Sequence, residues 1–64
     1  MTEKELLYIE DAIGHEQNII SIINESLKKL EDENLINFME EEKQGHESTL
    51  ENLINKLKEE TNGW

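Results

Sequence analysis

The sequence predicts an all-α protein, an antiparallel helical hairpin that dimerises into a four-helix bundle. Two stretches carry apolar residues at alternating spacings of three and four, and a short polar segment separates them. Neither stretch can bury its apolar stripe by itself. The chain has 64 residues, with no Cys to form disulfides or thiolate metal sites, and the lack of Pro argues against a loop-rich scaffold. A chain this short rarely builds a self-sufficient core, so self-association is the remaining route to burial.

Thr2 and Glu5 have the spacing of a capping box, in which a hydroxyl and a carboxylate satisfy backbone N–H groups left unpaired by the first helical turn. A first helix is therefore expected over about residues 3–30. Leu6, Ile9, Ile13, Glu16, Ile20, Ile23, Leu27 and Leu30 form its seam, and Tyr8, Ala12, Ile19 and Ile22 widen the stripe beyond what one neighbouring helix can cover. Glu31-Asp32-Glu33-Asn34 is polar throughout and reads as a turn over 31–34, with Asp32 or Asn34 able to cap the next helix. Continuing the first heptad through this segment would put Asn34, Asn37, Glu41, Gln44, Ser48 and Asn55 on the apolar stripe, so the phase breaks here.

A new seam runs through Ile36, Met39, Lys43, His46, Leu50, Leu53 and Leu57, flanked by Leu35 and Ile54, and predicts a second helix over about residues 35–59. Residues 60–64 read as a fraying tail in which Gly63 is a stop signal and Trp64 is either an anchor or a disordered end. The whole chain, 1–64, is read as one helical-hairpin domain. Two helices joined by so short a turn lie antiparallel, and a two-fold dimer of hairpins is the simplest closed arrangement.

Sixteen acidic residues against six basic ones give a formal net charge of -10, with no basic cluster. This charge excludes nucleic acid and anionic membrane as direct partners. The apolar run Ile19-Ile20-Ser21-Ile22-Ile23 is far short of a bilayer span, and Met1-Thr2-Glu3-Lys4 leads directly into an amphipathic pattern, so neither a membrane anchor nor a secretory leader is expected and a cytoplasmic location is. Nothing in the chain pairs a Ser or Cys nucleophile with a base or cradles a phosphate on glycines, and it is too short for a substrate cleft. Hydrolase and transferase chemistry are not expected.

A turn centred near residue 31 places Ile13 opposite Leu50 and Ile23 opposite Met39, and it also places Glu16 opposite His46. The two seam positions that break the apolar rule therefore share a layer between aliphatic layers. Lys43 lies one turn away on the same face, and Glu42 precedes His46 by four residues, so both can project toward one point. Buried carboxylates and imidazoles are costly unless paired or bound to a metal. Two readings follow. In one, Glu16, His46 and Glu42, with His15 as a further candidate, are metal ligands contributed by both chains of the dimer, with hard carboxylate oxygens and imidazole nitrogens suited to Fe or, alternatively, Mn or Zn. In the other no metal is bound, and the Glu-Lys-His layer neutralises itself and fixes helix register and oligomer number. Lys43 favours the second, because an ammonium repels a divalent cation and offers Glu16 a counter-charge.

Glu10-Asp11-Ala12-Ile13-Gly14-His15-Glu16 and Glu41-Glu42-Lys43-Gln44-Gly45-His46-Glu47 share one pattern, with one copy in each helix, although His46 is on its seam and His15 is one residue off its own. Gly14 and Gly45 each cost about 1 kcal/mol relative to Ala inside a helix. Leu6 to Gln17, then Leu30 to Phe38 and the downstream His46, resemble the small spore coat F-like and rubrerythrin-like proteins of the ferritin-like superfamily. The diiron members carry Glu-x-x-His, whereas here Ala12 and Lys43 stand three before each His and the acids lie four and five before. The resemblance implies a half-bundle that dimerises into a ferritin-like fold and a bacterial spore-former as source. It also implies either metal binding, with any enzymatic activity that of a metal-dependent oxidoreductase of ferritin-like type, or a packing role in the spore coat, with other coat proteins as partners.

Overall fold

The computed structural model describes residues 1–61 as two α-helices, α1 (Glu3–Leu27) and α2 (Glu33–Thr61), packed side by side as an antiparallel hairpin. Its principal extents are 48 × 15 × 12 Å, and its radius of gyration is 14.8 Å. A compact domain of this length would have a radius near 11 Å. The molecule is therefore a rod two helices wide, with all its tertiary contact along a single seam. Among the described residues no helix is long and apolar enough to cross a membrane. The expected Gly63 stop and the Trp64 terminus lie outside the described residues.

The capping box forms as the sequence predicts. The Thr2 backbone N–H donates to Glu5 Oε1 at 2.8 Å, and the Glu5 N–H donates to Thr2 Oγ1 at 3.1 Å. The bond donated by the Thr2 backbone N–H, helped by the Thr2 hydroxyl, holds the Glu5 carboxyl below its ordinary value. A carboxyl whose pKa is lower in the folded state stabilises the fold fully above its unfolded value, and that contribution is lost as pH falls through the folded one. On acid titration followed by NMR, the Glu5 carboxyl is expected to protonate at a lower pH than a free glutamate, and protection of the Thr2 amide relative to its intrinsic exchange rate should fall over the same range. A midpoint at or above that of a free glutamate would contradict the box.

Both helix ends facing the turn differ from expectation. The first helix was expected to reach residue 30, but α1 ends at Leu27 because Ser26 O accepts from both Lys29 N (3.0 Å) and Leu30 N (3.1 Å), which tightens the chain into the turn. Ser26 Oγ itself donates to the Ile22 carbonyl at 3.0 Å. Of the two possible caps for α2, Asp32 is the one used: its Oδ1 accepts from Asn34 N at 2.8 Å and Leu35 N at 3.1 Å, so the helix begins at Glu33 instead of 35. At its other end α2 runs to Thr61, two residues beyond the expected 59, with Thr61 Oγ1 donating to the Leu57 carbonyl.

Every residue of the two predicted seams is at least partly buried. Ile23 is buried most, at 5% exposure, near the turn where the helices are joined. Outside the seams, large apolar side chains stay in solvent: Tyr8 is 59% exposed, Ile22 56%, Phe38 55% and Leu35 50%. One hairpin thus covers the a/d line, partly covers Ala12 and Ile19, and leaves Tyr8 and Ile22 of the wider stripe mostly bare.

Candidate functional site

Glu16 in the middle of α1 and His46 in the middle of α2 meet across the seam. His46 Nδ1 lies 2.6 Å from Glu16 Oε2, with the side chains 30% and 18% exposed respectively. The local cause is helical register. Both helices hold their seams without interruption through this level, so the two polar seam residues have the same height in the rod. An ionised carboxylate can only accept, so in this contact Nδ1 is the donor. A 2.6 Å separation is at the short end for a hydrogen bond involving a charged group.

Glu42, one turn before His46 on α2, approaches the opposite edge of the same ring, with Oε2 at 3.9 Å from Nε2 and its side chain 48% exposed. That distance is too long for a hydrogen bond. His46 therefore stands between two carboxylates, one on each ring nitrogen. This arrangement decides what one hairpin can do with a metal ion. The two carboxylates address opposite edges of the imidazole, so no single ion can touch both and the ring together. Among the described residues of one chain, no group of three His, Asp or Glu side chains is arranged around a common point.

The remaining sequence candidates fall outside this contact. His15 is solvent-exposed on α1, one residue before Glu16 and off the seam. Lys43 is partly buried on the seam, but the short bond to Glu16 is made by His46 and not by the ammonium. Sequence reasoning placed Glu42 beside His46 without showing that it takes the far edge of the ring; only the rotamer of His46 reveals that. Gly14 and Gly45 lie in open helix surface, where an added Cβ would meet nothing within 4 Å. Packing inside the hairpin thus requires neither glycine. No protein-family model matches the chain, and no curated protein or solved structure matches it either.

Proposed function

We propose that the chain is a self-assembling helical module, a half-bundle of ferritin-like type whose Glu16–His46 layer specifies helix register and pairing. The observation that carries this reading is the amount of apolar side chain the hairpin leaves in water. The accessible surface is 5025 Å² for a 7.5 kDa chain, whereas a compact monomer of that mass exposes roughly 4200 Å². A stable monomer would not keep Tyr8, Ile22, Leu35 and Phe38 about half exposed along one rod while burying a single isoleucine. The Glu16–His46 bond supports the register role, because a polar pair inside an apolar seam is satisfied in one alignment only; a shift by one turn would leave both groups facing aliphatic side chains. Spore-coat-like assembly, with the same chain or other coat proteins as neighbours, is the setting this reading gives the module.

A second reading, iron-type metal binding at the same layer, is favoured by the carboxylate on each side of His46. It requires a second chain, because the ligands of one hairpin do not converge. One sample tests both readings. Protein purified without a histidine tag is expected to run in light scattering at a multiple of 7.5 kDa, with helicity lost on dilution as the assembly dissociates. A monomeric mass with helicity independent of concentration would defeat the assembly reading. Elemental analysis of the same sample, with melting recorded before and after adding Fe(II), Mn(II) or Zn(II), decides the metal reading: an ion held at stoichiometric level with a raised melting temperature supports it, and no bound ion with unchanged melting removes it.

A further inference from the structure

The self-assembly proposed above leaves open which face pairs and which way round, and the distribution of side chains about the seam answers both. Tyr8, Ala12, His15, Ile19 and Ile22 each lie one residue before a seam position of α1, and Leu35, Phe38, Glu42, Gly45 and Thr49 each lie one residue before a seam position of α2. Because the helices are antiparallel, these two stripes fall on the same side of the hairpin. The groove at the open end of the rod, lined by Met1, Glu5, Tyr8 and Ile9 from the first part of the chain and by Lys56 and Glu60 of α2, lies along this side. The groove along the other side is lined by Ile20, Glu47, Glu51, Ile54 and Lys58, and Glu10 and Glu40 lie on that flank too. A second copy with the same charge of -10 can come close only where acids are sparse. On the first side, Glu42 is the only acid between Tyr8 and Ile22 on one helix and between Leu35 and Thr49 on the other.

We infer that a second copy of this chain docks on the face carrying Tyr8, Ile22, Leu35 and Phe38 with both turns at the same end, about a two-fold axis parallel to the helices. In this arrangement α1 lies beside the partner's α2 at the heights already matched within the hairpin. Ile22 meets the partner's Phe38, and Tyr8 lies over the aliphatic stem of the partner's Lys56. His15 comes opposite the partner's Gly45 with the partner's Glu42 beside it. The pairing gives the exposed imidazole a carboxylate, and it gives the glycine a role: a residue without a side chain makes room for a ring from the neighbouring helix. Both Glu16–His46 pairs then share one layer. The opposite-end arrangement sets α1 against α1 and α2 against α2; it pairs Tyr8 with Ile22, but it places Phe38 over Lys56 and Leu35 over Glu59 and leaves His15 opposite a second His15 with no carboxylate beside it.

The inference rests on the assembly reading, and one experiment separates their failures. The chain has no cysteine, so an Glu31→Cys variant carries a single nitroxide label at the turn. Light scattering gives its mass, and pulsed dipolar spectroscopy gives the distance between labels. With neighbouring helix axes about 10 Å apart, same-end docking is expected to give a label separation of roughly 15–30 Å. Opposite-end docking separates the turns by the length of a helix, about 40 Å or more. A multimer with a distance in the shorter range supports the inference. A multimer with the longer distance overturns the inference and leaves the assembly reading standing, while a monomeric mass overturns both. As a second check on the face, an Ile22→Glu variant is expected to run at a lower mass than the native chain at the same concentration; an Ile22→Glu variant that stays fully assembled overturns the choice of face.

Discussion

Replacing Ile23 by alanine is expected to lower stability by about 2–5 kcal/mol, the usual cost of deleting a buried aliphatic side chain and leaving part of its space empty. For a chain of this size the whole folding free energy is on the order of 3–10 kcal/mol, so this one change should unfold a large fraction of the molecules or move the denaturation midpoint to low urea. The reason lies in how little else is buried. Ile23 is the one described side chain with only 5% exposure, and it sits where the turn forces α1 and α2 together. Leu7, 58% exposed on the back of α1, is the control. Leu7→Ala should cost less than about 1 kcal/mol. Urea titrations followed by helical circular dichroism check both, and equal shifts for the two variants would show that the seam near the turn is not the core.

The second large effect concerns the polar layer. His46→Leu removes the partner of Glu16 and leaves a mostly buried carboxylate facing aliphatic side chains, with an expected loss of about 1–3 kcal/mol. Adding Glu16→Leu to it should restore the loss and can exceed the starting stability, because two apolar residues at this level carry no desolvation penalty. The sign reversal between single and double variants is the signature of a pair kept for alignment, and the coupling is read from a double-mutant cycle with melting and mass recorded for all four proteins. If the double variant is as unstable as the single, the layer contributes more than its mutual hydrogen bond. Under the metal reading, each single variant also loses its bound ion.

Much of this hairpin is legible residue by residue. The Thr2–Glu5 spacing predicts the start of α1, and the seams through Leu6 to Leu30 and Ile36 to Leu57 predict the residues that turn toward each other. The break in phase after Leu30 predicts that the chain folds back. Glu16 and His46 are predicted to share a layer because antiparallel helices about a short turn leave no freedom in height. These features follow from helical period and chain connectivity, which need only the identity and order of residues. The helix ends near the turn are less legible. Asp32 and Asn34 are equally good caps by type, and the choice between them, like the early stop at Leu27, depends on which carbonyls and amides the turn brings into reach.

The sequence by itself determines two amphipathic helices, their antiparallel pairing and the level at which an acid faces an imidazole, because periodicity sets which side of each helix is apolar. The tertiary structure alone decides that His46 turns Nδ1 to Glu16 and Nε2 toward Glu42, that His15 stays in solvent, and that Tyr8, Ile22, Leu35 and Phe38 remain uncovered. Rotamers and residual exposure depend on what neighbouring atoms occupy, and that is a property of the packed helices that no spacing along a single chain encodes.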